Sequence, residues 1–336
     1  MTSTPVATST AAAALALDEA RDDGSPTTAN ATAGPARAAG SRGGAARRPS
    51  AGAVLELLKP ITWFPPMWAF LCGAVSSGVA LGAGLGTLAL GILLTGPLVC
   101  ATSQAVNDWY DRHVDAVNEP NRPIPSGRVP GRWGLWIGLL WSALSLAVAS
   151  LLGPLVLGAT VVGLALAWAY SAPPVRLKRN GWWGNAAVGL CYEGLPWVTG
   201  AAVMLGGAPP GAPVLALAAL YSVGAHGILT LNDFKAVDGD RAHGVRSLVV
   251  QLGAARAARL ACAVMALAQA LVVALLLGWG QGWHAVGVAL LLLVQLAAMR
   301  RLLRDPEGRA PWYNATGVSL YVLGMLVAAH ALRGGV

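Results

Sequence analysis

The sequence predicts an all-α polytopic membrane protein of nine transmembrane helices with a cytoplasmic N-terminus, on three observations. Of its 336 residues 55% are apolar and only 11% charged, less than half the roughly 25% usual in soluble domains, which excludes a water-soluble globule. Apolar segments long enough to span as helices recur from Pro60 to the C-terminus. Basic residues gather in every second connection between them, so that all Lys and Arg except Arg333 fall on one side.

Taken in order, residues 1–50 are Ala, Ser, Thr, Gly and Pro with scattered Arg, too poor in large apolar side chains to offset chain entropy, and are expected to be a disordered tail. Ala11–Leu17 is short and runs into Asp18 and Glu19, so no cleaved leader is expected. The nine spans are then 61–80, 86–106, 134–151, 154–171, 186–205, 213–231, 259–278, 284–303 and 315–332. Connections 81–85, 152–153, 206–212 and 279–283 are short and lack Lys and Arg, whereas the alternate ones carry the positive charge. The positive-inside rule places those loops and the N-terminus in the cytoplasm, and the odd number of spans places the C-terminus outside. The formal charge of +8 is thus explained by topology and calls for no nucleic acid. Most of the 13 Trp lie near span ends, as an aromatic belt would. Cys72, Cys100, Cys191 and Cys262 lie singly within apolar runs, without metal-binding or redox spacing.

The acids are patterned. Beyond the tail, most carboxylates fall in two stretches at the cytoplasmic ends of the second and sixth spans: Asn107-Asp108-Trp109-Tyr110-Asp111-Arg112-His113-Val114-Asp115, and Asn232-Asp233-Phe234-Lys235-Ala236-Val237-Asp238-Gly239-Asp240-Arg241. Laid over each other without a gap, Asn107 meets Asn232, Asp108 meets Asp233 and Asp115 meets Asp240, an internal repeat. On a continuing helix Asp108, Asp111 and Asp115 stand at i, i+3 and i+7, within an arc of roughly 60°. Stacked like charges need a cationic partner. Mg²⁺ is usually held by one or two carboxylates plus substrate phosphates, so two facing acidic stretches suit a metal–diphosphate site. Candidate metal ligands are Asn107, Asp108, Asp111, Asp115, Asp233, Asp238 and Asp240. Arg112, Arg122, Lys178, Lys235, Arg241 and Arg246 suit the remaining diphosphate charge.

The two stretches resemble the paired aspartate motifs of the UbiA-type intramembrane prenyltransferase superfamily. The run NDWYDRHVDAVNEPNRPIPSGRVPGRWGL at 107–135 closely resembles its chlorophyll and bacteriochlorophyll synthase branch. So do ITWFPPMWAF at 61–70, YSAPPVRLKRNGWWGN at 170–185, LNDFKAVDGDR at 231–241 and PWYNATGVSLYVLGM at 311–325. The resemblance covers about 55–333, the expected prenyltransferase domain. It implies a Mg²⁺-dependent enzyme, in the inner or intracytoplasmic photosynthetic membrane of a bacterium, with its active site on the cytoplasmic side. The substrates implied are a bacteriochlorophyllide or chlorophyllide and geranylgeranyl or phytyl diphosphate, with photosynthetic-assembly proteins as partners. Catalysis is expected to rest on Asp108, Asp111, Asp115, Asp233 and Asp240. The wider superfamily often carries Asp where this chain has Ala236, so second-motif ligation stays open between Asp233, Asp238 and Asp240. Where the branch usually has Pro after Ser-Leu, this chain has Val249.

Two ionisable groups fall within apolar spans, where charge is costly. His226 suits either axial ligation of a pigment magnesium or a packing role; Glu193, beside Tyr192 and Trp197, suits either a macrocycle pocket or structure. A transporter would place its polar groups near the bilayer midplane, unlike the clusters here. A non-catalytic pigment-binding protein would need no paired Asn-Asp stretches.

Overall fold

The computed structural model describes residues 48–334, so the tail expectation for residues 1–47 lies outside the described residues. Within hydrocarbon a chain must satisfy its backbone polar groups internally, and among the described residues the only β pairing is one isolated parallel bridge, Asn180 with Arg246. The helices are α1 (Ala51–Leu58), α2 (Phe64–Ser76), α3 (Leu85–Leu93), α4 (Ala101–Asn118), α5 (Trp133–Leu151), α6 (Pro154–Ser171), α7 (Gly181–Gly189) and α8 (Leu195–Met204). They continue as α9 (Ala212–Asn232), α10 (Val237–Ala242), α11 (Leu248–Leu252), α12 (Ala254–Gly278), α13 (Gly282–Leu302) and α14 (Pro306–Ala331). Wide-turn helical segments, Leu94–Cys100 and Leu190–Gly194, join α3 to α4 and α7 to α8.

Among the described residues seven segments are long and apolar enough to cross a membrane, not the nine expected. Residues 61–80 shorten to α2, 13 residues or about 20 Å, because Pro60–Thr62 forms a separate turn before it and Gly78 adopts φ +78° after it. Residues 186–205 are helical, but as the end of α7, a wide turn and α8, with Glu193 and several glycines diluting the apolar run. Conversely, the segment Leu81–Asn118 runs for 38 residues, about 57 Å at 1.5 Å per residue, well beyond a hydrocarbon core of about 30 Å. The segment is thus longer than the apolar layer, and its last turns carry the first acidic stretch.

Side chains hold the bundle where lipid gives no hydrophobic drive between helices. Buried Gln269 on α12 donates to Gln295 on α13, which donates to Tyr313 on α14 at 3.0 Å. Trp197 stacks on Tyr221 with centroids 5.4 Å apart, and Tyr321 meets Tyr221 edge-on. α2 and α8 cross at backbone contact: a Cβ on Gly73 would stand 1.9 Å from the Trp197 carbonyl oxygen, and one on Gly200 2.0 Å from that of Phe70. Gly200→Val should therefore force the two helices apart and cost at least ~1–3 kcal/mol. Thermal unfolding in detergent would read this as a lowered Tm, while Gly52→Val, with nothing within 4 Å of its Cβ, should scarcely move it.

Candidate active site

α4 continues without a break through the first acidic stretch, so its three aspartates rise along one helix, and each is met by cations from other segments. Asp108, 1% exposed, accepts from Lys59 Nζ at 2.8 Å and lies 3.6 Å from Arg122; its Oδ2 is buried without a partner. Asp111 pairs with Lys178 and, at 3.3 Å, with Arg176. Asp115 accepts from Arg122 at 3.1 Å, and Arg122 also grips Glu119. Lys59 and Arg176 are the two non-glycine residues with left-handed backbone among those described, φ 45° and 40°. That conformation costs energy in side-chain-bearing residues, and here it accompanies delivery of a cation to the acidic face.

Burial pulls the Lys178 ammonium below the ordinary lysine value, with Asp111 opposing and Arg176 assisting. Arg122 goes the other way: its burial would lower it, but Asp108, Asp115 and Glu119 together hold the guanidinium above its usual value.

A polar cavity of about 740 Å³ opens beside these groups. Asp111 and Asp115 line it from α4, Lys178 from the α6–α7 connection, and Asp233, Lys235 and Asp240 from the chain that follows α9. Tyr170, Asn185, Asp233, Lys235 and Ala236 also line a second, mostly apolar chamber of about 360 Å³. This chamber runs inward along Asn107, Val99, Leu166, Val188 and Tyr192. Asn107 donates to Ser171 at 3.1 Å, and Tyr192 Oη accepts from Gln104 at 3.2 Å.

The structure thus brings together Asn107, Asp111, Asp115, Asp233, Asp240, Lys178 and Lys235 around two joined cavities. It does not bring in the rest. Asp108 lines neither cavity, being turned toward Lys59 and Arg122. Asp238 is fully exposed and 3.8 Å from Arg241, pointing away from the site because Val237–Ala242 forms a short helix with Asp240 inward. Arg112 lies over the Trp109 ring at 4.1 Å and donates to the Trp109 carbonyl. Arg122, occupied by three carboxylates, lines neither cavity, and Arg246 lines a different one. His226, beside the Trp182 ring at 5.9 Å, and Glu193, buried with an unpartnered Oε2, line neither cavity. At Val249, Leu248–Leu252 forms a single helical turn, and Val249 is buried.

Lys59, Arg176, Tyr170 and Asn185 were not among the candidates. Lys59 lies nearly 50 residues from its partner in sequence, and no local pattern links the two; the others fall within or beside the run 170–185, whose density of polar groups between two spans was the available signal.

Among the described residues no three or more His, Cys, Asp and Glu side chains converge as a ready-made cation site. The donor set nevertheless fits a divalent cation shared with a diphosphate: carboxylates flank one cavity from two sides, and the remaining coordination falls to phosphate oxygens and water.

Residues 58–327 match the model of the UbiA prenyltransferase family. The chain belongs to that family. It is 63% identical over 286 residues to the bacteriochlorophyll synthase 33 kDa chain of Cereibacter sphaeroides, covering 85% of this chain and 94% of that one. It is 38% identical to the chloroplastic chlorophyll synthase of Oryza sativa over 287 residues, 82% and 76% of the two chains. A UbiA homologue from Archaeoglobus fulgidus bound to GPP and Mg²⁺ shares the fold, with a TM-score of 0.63 and 20% identity over 84% of this chain and 99% of that one. For this multi-pass prenyltransferase, Asp240→Asn should lower prenyl transfer by about 10²-fold, the usual scale for removing one charge-stabilising group. Asp238→Asn should leave it within about twofold, since that carboxylate is solvated; steady-state transfer rates of the two variants separate the second-motif acids.

Proposed function

We propose that this protein is a bacteriochlorophyll synthase, esterifying the propionate of bacteriochlorophyllide a with a geranylgeranyl or phytyl group from its diphosphate, in a Mg²⁺-dependent reaction. The observation that carries the reading is the pair of joined cavities. An acid- and lysine-lined vestibule suits the diphosphate, and an apolar chamber behind the shared wall suits the prenyl tail. The 63% identity to a bacteriochlorophyll synthase chain supports the pigment, over chlorophyllide a and over a non-catalytic pigment carrier.

The reaction breaks the allylic C–O bond of the prenyl diphosphate. The electron pair leaves with the diphosphate, whose growing charge falls beside Lys178 and Lys235. Mg²⁺ held by the diphosphate with Asp111, Asp115, Asp233 and Asp240 supplies Lewis-acid stabilisation of that charge. The chamber walls keep water from the electron-deficient allyl end. The propionate is already an anion at neutral pH; its oxygen attacks the allyl carbon, the ester C–O bond forms, and no general base is needed.

The topology belongs to the same proposal. Counting α2 and the composite helix Gly181–Met204 with the seven spans gives nine, and the basic connections then put the N-terminus and both acidic stretches on the cytoplasmic side of a bacterial photosynthetic membrane.

Membranes containing the protein, given bacteriochlorophyllide a or chlorophyllide a with geranylgeranyl diphosphate and either Mg²⁺ or EDTA, should form ester only with Mg²⁺ and faster from bacteriochlorophyllide a. Preference for chlorophyllide a would reassign the pigment. Absence of ester with both pigments, while each still binds, would replace the enzyme reading with a carrier.

A further inference from the structure

A second basic cavity adjoins the vestibule, with which it shares Arg176 and Arg179, whereas Arg246 and Trp183 line it alone. It has a volume of about 320 Å³ and is lined by Arg176, Arg179, Arg246, Val175, Trp183 and Asn180, among others. No carboxylate lines it. Two of the three arginines are brought together by the backbone: Arg246 N–H donates to the Arg179 carbonyl at 2.9 Å, and Gly181 N–H donates to the Arg246 carbonyl at 2.8 Å. This zips residues 179–181 to 246 as the isolated bridge described above. Neither Arg179 nor Arg246 makes a side-chain hydrogen bond or ion pair with the described residues, and Arg176 Nε is buried without a partner although its Nη2 reaches Asp111.

Like charges lining one cavity repel unless an anion sits among them, and guanidinium forks match phosphate oxygens. The apolar rim decides the kind of anion. Val175 is 57% exposed and Trp183 67%, a large aliphatic and an indole presented outward at the end of a span, which is where indoles lie at the headgroup level. Basic pockets at the ends of spans bind anionic lipid headgroups. We infer that the cavity lined by Arg176, Arg179, Arg246 and Trp183 is a binding site for the phosphate headgroup of an anionic phospholipid, with its glycerol and acyl portion against Val175 and Trp183.

The test uses the delipidated full-length protein in detergent, titrated with phosphatidylglycerol, phosphatidylcholine or inorganic diphosphate, with native mass spectrometry counting bound molecules. One phosphatidylglycerol should bind more tightly than phosphatidylcholine. Arg246→Gln should weaken it about fivefold or more, as loss of one basic residue at a membrane surface does, and Trp183→Ala should weaken it with the charge intact. An unchanged melting temperature in phosphatidylcholine shows that each variant is folded. Equal binding of the two lipids, or phosphatidylglycerol binding unaffected by Arg246→Gln, overturns the site. So does competition in which inorganic diphosphate displaces the lipid in the wild-type protein but fails to do so in Arg246→Gln, since the cavity would then be a subsite for the soluble anion.

Discussion

Three carboxylates stacked along one helix face must be neutralised, and the architecture around the vestibule follows from how that is done. Asp108, Asp111 and Asp115 lie on α4, and the cations that meet them come from three separate places: Lys59 at the end of α1, Arg122 in the loop after α4, and Arg176 with Lys178 between α6 and α7. Each cation pins its segment against α4. Arg128 extends the same scheme by donating to Glu56 at 2.7 Å, tying the loop back to α1. Exposed pairs of this kind contribute little singly, but buried Asp108 would be strongly destabilising without Lys59, because an uncompensated buried charge is far costlier than the pair.

The vestibule and the chamber meet at the ends of two helical segments that are longer than an apolar layer. Leu81–Asn118 and Ala212–Ala242 each carry an Asn-Asp stretch toward the C-terminal end, and the cavity opens between them. Wide turns in Leu94–Cys100 and Leu190–Gly194 flank the inner chamber. Such turns occur often at functional sites. Here Pro97 interrupts the first, and its carbonyl accepts from Trp141 at 3.0 Å, so the irregular backbone is held by a neighbouring helix.

Much of this was legible in the sequence, because hydropathy and carboxylate spacing are local properties. The seven long spans and the two acidic stretches follow from them. The span count did not: α2 is cut short by a turn whose geometry depends on Pro60 and Gly78, and the composite helix is too polar for a simple apolar window. Side-chain direction was illegible as well. Asp108 and Asp111 share a helix face, yet one faces Lys59 and the other the vestibule, and only the packing of α1 against α4 separates them. Asp238 and Asp240 look equivalent in sequence, and the helical turn at 237–242 sends one to solvent and the other inward.

Arg176 and Lys178, the two cations that satisfy Asp111, also line the vestibule proposed for the diphosphate. On the proposed reading, substrate entry would substitute one set of counter-ions for another: Asp111 and Asp115 would hold the diphosphate's metal, and Lys178 would turn from Asp111 to phosphate. The molecule then behaves as an ion exchanger, its resting form held by internal salt that each turnover must dissolve and restore. Steadiness at rest and speed in use draw on the same few contacts, so a variant that tightens Lys178 onto Asp111 would trade one for the other.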